Sequence, residues 1–283
     1  MKNEIIFNEW GNILHADSLK EILSLSDEYL TNLVVNRNLI VIKGCDSELS
    51  DHDLTTLTEK FGKVWTQDEY TKPYIGSGRD LTVNVETNVS YFNSNRTRFN
   101  SKHMAWHADM PHVKDYSYPG RLLYMSQNTT DNSGVTSWLN LELAWSQLSQ
   151  TEQEHYLQYE IVFQDMYRPD TRLETLPFLK VNPKTKKISP NLNCYCSAEV
   201  AIAWIRYVKH NNVLLDYDQM NNFMCEVYDL LTKQPNAVYE HVWSEGDIIV
   251  YDNWFNVHQR TAVNEAATAN GFRLLKRLTF NFV

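Results

Sequence analysis

The stretch 105-AWHADMPHV-113 places His107, Asp109 and His112 within six residues of one another. Read as the end of a β-strand, it sets His107 and Asp109 on one side of the chain, because extended residues two apart project to the same face. Read as a solvated strand end, the same letters carry no chemistry. The patterns on either side decide between the two.

Strand patterns recur downstream at 121-RLLYMSQ-127, 135-VTSWLN-140, 160-EIVFQDM-166, 238-VYEHVW-243, 247-DIIVYDN-253 and 272-FRLLKRLTFNFV-283. They are short, rich in β-branched and aromatic residues, and bounded by polar turns. Helical periodicity interrupts them at 141-LELAWSQLS-149 and in two segments within 197–232. Upstream, 17-DSLKEILSLSDEYLTNLVVNR-37 predicts one helix with Asp17 as its N-cap, and 50-SDHDLTTLTEKFG-62 a second, opened by Ser50 and stopped at Gly62. Between them, 38-NLIVIKG-44 reads as a buried strand, and 81-LTVNVET-87 as a half-buried one. Many short strands with inserted helices predict a β-rich α+β fold, a barrel or sandwich with helical decoration. No Gly-rich strand-to-helix turn or phosphate loop is present, which excludes a doubly wound nucleotide fold. No repeat or linker divides the chain, so residues 1–283 read as one domain.

With 43% hydrophobic and 22% charged residues, the chain has the composition of a soluble globular protein. A net charge of −9 argues against a broad nucleic-acid surface. No leader-like N-terminus and no apolar run long enough to cross a membrane stand in the sequence. Cys45, Cys194, Cys196 and Cys225 have no zinc-knuckle spacing and read as reduced thiols, so the expected location is the cytoplasm. The expected partner is a small molecule, with no nucleic acid or membrane, and a homo-oligomer is compatible with the chain.

A mononuclear iron site for O2 chemistry takes two imidazoles and one carboxylate on one side of the metal and leaves the other positions open. His107 and Asp109 supply two such ligands from one strand. The third must come from a distant strand, and the candidate is His258 in 246-GDIIVYDNWFNVHQR-260. Beyond it, 273-RLLKR-277 puts Arg273 and Arg277 on one strand face, roughly 13 Å apart. Either guanidinium can fork onto a carboxylate.

Together, W-H-A-D at 106–109, 133-SGVTSWLN-140, 246-GDIIVYDNWFNVHQR-260 and R-L-L-K-R resemble the taurine dioxygenase-like (TauD/TfdA) family of Fe(II)/2-oxoglutarate oxygenases. The resemblance runs from about residue 30 to the end, and 38-NLIVIKGCD-46 and 61-FG-62 fit it as well. It implies a double-stranded β-helix core of jelly-roll or cupin type, with Fe(II), 2-oxoglutarate and O2 as cofactor and cosubstrates. It further implies that His107, Asp109 and His258 are the iron ligands, and that Thr136 and Arg273 hold the distal carboxylate of 2-oxoglutarate. Arg277 would be a second anchor, for the cosubstrate or for an anionic group of the substrate. Trp65, Gln67 and Tyr70 fall where the family places part of its substrate pocket, and Asn84 precedes a candidate lid, 88-NVSYFNSNRTRFNSKH-103.

Because the family's halogenases replace the carboxylate ligand with a small residue, Asp109 implies hydroxylation or a related oxidation of an unactivated C–H bond. 2-Oxoglutarate would be converted to succinate and CO2. The implied substrate is an amino acid, carboxylate, sulfonate or natural-product intermediate. Alternatives are the same chemistry on a peptide or carrier-tethered amino acid, a desaturation or cyclisation, a zinc hydrolase on the same ligands, and a non-catalytic binding protein. His103 and His112 read as pocket-rim or solvated residues, Arg260 as a structural ion-pair partner, and Trp106 and Trp254 as packing beside the ligands.

Overall fold

The computed structural model describes residues 1–45, 48–66, 82–84, 86–93, 101–109, 119–163, 174–182, 184–192, 205–267 and 273–282. In chain order the strands are β1 (Lys2–Ile5), β2 (Asn12–His15), β3 (Leu39–Lys43), β4 (Gly62–Val64), β5 (Thr82–Val83), β6 (Ser90–Asn93), β7 (Met104–His107), β8 (Pro119–Gln127), β9 (Thr136–Asn140) and β10 (Tyr159–Phe163). They continue with β11 (Glu174–Pro177), β12 (Leu179–Val181), β13 (Ile188–Pro190), β14 (Ile205–His210), β15 (Val213–Leu214), β16 (Val238–His241), β17 (Ile248–Asp252), β18 (Asn256–Arg260) and β19 (Leu274–Phe282). The helices are α1 (Leu19–Leu23), α2 (Asp27–Arg37), α3 (Asp51–Glu59), α4 (Leu141–Ser146), α5 (Gln150–Tyr156) and α6 (Tyr217–Thr232).

The expected single helix over 17–37 is two helices. Ser26 adopts extended backbone and its hydroxyl accepts from the Tyr29 N–H, so it caps α2 instead of continuing α1; α1 in turn starts after Ser18, not Asp17. Asn38 ends α2 in the left-handed region, at φ 61°, and turns the chain straight into β3. The capping box of α3 is present, with the Ser50 and Asp53 side chains each taking the other's backbone N–H. Of 81-LTVNVET-87 only Thr82–Val83 is strand among the described residues. Asn84 turns the chain instead: its Oδ1 accepts from the Glu86 N–H and its carbonyl from the N–H of Asn88, at φ 58°.

Two sheets face each other in a jelly-roll core. The larger runs β1-β2-β3-β17-β8-β19-β6-β5, with β4 joined to β19, and the smaller runs β16-β9-β18-β7. Strand alternation divides the larger sheet's side chains between two cores. Ile40, Ile42, Leu122, Tyr124, Ile248, Val250, Leu278 and Phe280 pack outward against α1, α2 and α3. Leu39, Val41, Leu123, Met125, Ile249 and Tyr251 point inward and meet Trp138 and Trp243 from the smaller sheet's side. The smaller sheet's outer face is covered by α4, α5 and α6 through Leu139, Leu141, Trp145, Phe223 and Val257. His107 and His258 share the inward face of the smaller sheet with Trp138.

Candidate metal centre

β7 and β18 are antiparallel neighbours, and their register sets His107 directly across from His258, with ring centroids 4.2 Å apart. Asp109 follows just past the end of β7. The side chain of Asn253 pins its backbone from both sides: Oδ1 accepts from the Asp109 N–H at 3.2 Å and Nδ2 donates to the Asp109 carbonyl at 2.8 Å. Asn253 lies in the turn between β17 and β18, where Asp252 Oδ1 accepts from the N–H groups of Trp254 and Phe255. One turn therefore starts the strand that carries His258 and fixes the segment that carries Asp109. One ligating atom from each of His107, Asp109 and His258 can be chosen so that all lie within 4.8 Å of one another.

This donor set fits a divalent metal. His107 Nδ1 lies 2.7 Å from the Ala105 carbonyl, which assigns the proton to Nδ1 and leaves the Nε2 lone pair for a metal. His258 Nδ1 is buried with no hydrogen-bond partner among the described residues. Two imidazoles and one carboxylate, with no thiolate, are the donors of a non-haem iron site.

Electrostatics hold Asp109 and His258 in the required charge states. Burial pushes the Asp109 carboxyl up, and Arg121, His258 and His107 outweigh it, holding it below the ordinary carboxylate range. Burial, reinforced by His107, pushes His258 down to about 3, so its imidazole is neutral at physiological pH. Both guanidiniums near Asp109 meet the same oxygen: Arg277 Nη1 lies 2.6 Å and Arg121 Nε 3.3 Å from Oδ2.

Arg273 is 4% exposed and donates through Nε to Asn128 Oδ1 and through Nη2 to the Gly134 carbonyl, both at 3.3 Å. Burial and neighbouring Arg260 lower it to about 9, which leaves it charged at neutral pH. Gly134 has φ +79°, and a Cβ there would come within 2.9 Å of Val263 Cγ2 and 3.4 Å of Arg273 Nε. Two residues on, the Thr136 hydroxyl accepts from Trp243 Nε1 at 2.8 Å. Trp243 thereby orients Thr136, and Asn128 orients Arg273.

The remaining expected residues divide. Trp65 is 3% exposed and its ring lies 5.6 Å from the Arg121 guanidinium, so it borders the centre. Gln67, Tyr70 and His112 lie outside the described residues, as do Cys194, Cys196 and residues 94–100 of the candidate lid. Asn84 stands apart from the three ligands: its amide donates to Asp51, which also binds Tyr91 and Lys276. Lys276 and Arg277 are adjacent on β19 and so face opposite ways, which puts Asn84 against α3 and not against Arg277. Arg260 donates to the Lys102 carbonyl at the edge of the smaller sheet. Sequence reasoning did not single out Arg121, Tyr251, Asn253, Asn128 or Trp243. Arg121 did leave a signal, a lone charge opening the otherwise apolar run of β8.

A profile of the family described as "Taurine catabolism dioxygenase TauD, TfdA family" matches residues 9–279. Among solved structures the chain is similar to a putative α-ketoglutarate-dependent taurine dioxygenase from Burkholderia xenovorans, with TM-score 0.68 and 14% identity over 100% of this chain and 90% of that one. It is also similar to PvcB from Pseudomonas aeruginosa, with TM-score 0.67 and 15% identity over 96% and 86% of the two chains. A third is AAD-2 in complex with Mn(II) and N-oxalylglycine, with TM-score 0.69 and 11% identity over 100% and 97%. A search of curated proteins finds no match. At these identities the structural likeness speaks for the fold, while the profile speaks for the family. The chain belongs to the TauD/TfdA family and is an Fe(II)/2-oxoglutarate-dependent dioxygenase.

Proposed function

We propose that this dioxygenase hydroxylates an unactivated C–H bond of a small anionic or zwitterionic molecule, such as an amino acid, carboxylate, sulfonate or natural-product intermediate. His107, Asp109 and His258 are its iron ligands, Thr136 and Arg273 anchor 2-oxoglutarate, and Arg277 meets an anionic group of the substrate. The convergence of the three ligating atoms within 4.8 Å, beside two inward arginines, carries this reading.

When bound, iron with 2-oxoglutarate supplies the oxidising chemistry, in which O2 and 2-oxoglutarate give succinate, CO2 and an oxidised substrate. The protein's own groups set the stage for it. Asp109, kept anionic by its cationic neighbours, serves as the charged ligand, and His107 with the neutral imidazole of His258 completes one side of the site. Arg273 presents a guanidinium from between β8 and β9, where a carboxylate can take a forked pair of hydrogen bonds beside the Thr136 hydroxyl. Arg277 is lowered to about 9 by burial, stays cationic at neutral pH, and stacks at 4.4 Å over Phe92. An anion drawn to it comes beside Asp109 and therefore beside the metal.

The direct test is succinate production from 2-oxoglutarate with Fe(II), ascorbate and O2 against amino acids, sulfonates and small carboxylates, with His107→Ala alongside. Succinate that rises with one anionic panel member and disappears in the variant is the expected result. Turnover stimulated only by neutral or cationic compounds would contradict the substrate assignment.

A further inference from the structure

One polar feature that this function leaves unexplained is a row across the larger sheet. Register places Tyr251 of β17 opposite Arg121 of β8, and Arg121 opposite Thr279 of β19. Residues opposite one another on neighbouring strands share a face. Here it is the inward one, since Tyr251 packs with Leu123 and Ile249 and Arg121 reaches Asp109. Arg121 and Tyr251 are 0% exposed and Thr279 is 3% exposed. Arg121 uses Nε on Asp109 and Nη1 on the Gly120 carbonyl. Its Nη2, the Tyr251 hydroxyl and the Thr279 hydroxyl have no hydrogen-bond partner among the described residues.

Buried polar groups in native proteins are almost always paired, so three orphans in one row call for an explanation. Charge points the same way. Arg121 and Arg277 both meet Oδ2 of Asp109, two cations against one carboxylate, and a metal ion on Asp109 adds further positive charge. A buried excess of positive charge is costly until an anion offsets it. All three orphans can donate a proton, and none is a fixed acceptor that would repel an anion. The Trp65 ring lies 5.6 Å from the guanidinium carbon, within cation–π range.

We propose that Arg121, Tyr251 and Thr279 form an oxyanion receptor, separate from Arg277, for one carboxylate, sulfonate or phosphonate group of the substrate. The inference rests on the small-anionic-substrate reading and assigns its specificity to the Tyr251–Arg121–Thr279 row. It makes Arg121, alongside Arg277, a residue that separates an anionic substrate from its neutral isostere.

Calorimetric titration of the full-length protein, loaded with Mn(II) and N-oxalylglycine, tests it without turnover. The probes are methanesulfonate against dimethyl sulfone, acetate against acetamide, and methylphosphonate. The wild type should bind at least one anion saturably and neither neutral isostere. Arg121→Gln should abolish that binding. The near-isosteric Tyr251→Phe and Thr279→Val, which keep the packing of the row, should each weaken it by about tenfold. Anion affinity unchanged in all three variants, or no anion binding by the loaded wild type, would overturn the receptor. Failure of the wild type to take up Mn(II) and N-oxalylglycine at all is a different result, one that removes the cofactor assignment and this inference with it.

Discussion

At the scale of single residues, charge state and donor count explain the site. In the proposed site His107 offers Nε2 to the metal because the Ala105 carbonyl engages Nδ1, and Asp109 stays ionised because cations surround a buried carboxyl. His107→Ala should lower Mn(II) affinity by about two orders of magnitude or more, read by equilibrium dialysis, while the circular dichroism of the fold is retained. Retention of wild-type affinity would remove His107 from the ligand set. Arg273→Ala should raise the KM for 2-oxoglutarate by about 10- to 100-fold, the worth of a charge-assisted pair, with a smaller rise in Arg273→Lys, which keeps charge but not the fork. Equal effects of the two substitutions would mean that the forked geometry, and not the charge, carries the interaction at this position.

Elements account for how these residues meet. A single register, β7 against β18, brings together two histidines far apart in sequence, and the Asp252–Asn253 turn locks Asp109 to the same strand pair. Asn253→Ala removes both hydrogen bonds to the Asp109 backbone. It should cost about 1–2 kcal/mol of stability in urea unfolding and weaken metal binding by about 10- to 100-fold. A loss of stability with unchanged metal affinity would show that Asp109 holds its place without the turn. Most of this was legible in the sequence. The H-x-D pair, the D-N turn before a distal histidine and the paired arginines mark themselves by residue type and spacing. Arg121 and Tyr251 do not, because their meaning comes from lying opposite each other on β8 and β17, and pairing between strands so distant is not written in local periodicity. Likewise the break of the 17–37 helix depended on which of several Ser and Asp residues wins the cap, a choice settled by tertiary packing.

Across the whole molecule, the larger sheet has an apolar helix-backed face and an inward face where an apolar cluster sits beside Arg121, Arg277 and Thr279, and the smaller sheet closes over the latter. Stability and the site thus share one interior. His241, whose Nε2 lies 3.0 Å from Asp247 Oδ2, supports β16 where it pairs with Thr136 of β9. Burial lowers His241 below its ordinary 6.5 despite Asp247, and Asp247, pushed up by burial, is held below its ordinary range by His241 and its other partners. In both cases the unfolded chain takes up the proton first as the pH falls. The His241 contribution is present above about pH 6.5 and is lost progressively below it, whereas that of Asp247 is lost only below about pH 3.8; through His241 the melting temperature of the metal-free protein should drop between pH 7.5 and about pH 5. A melting temperature that rises over that interval would contradict the assigned shifts. The claim on which everything else depends is that one interior site holds both a metal and 2-oxoglutarate. Calorimetric titration of 2-oxoglutarate into the Mn(II)-loaded protein measures this directly. The account predicts one saturable site in the wild type, lost without Mn(II) and lost in His107→Ala. Binding of 2-oxoglutarate that is indifferent to both would contradict it.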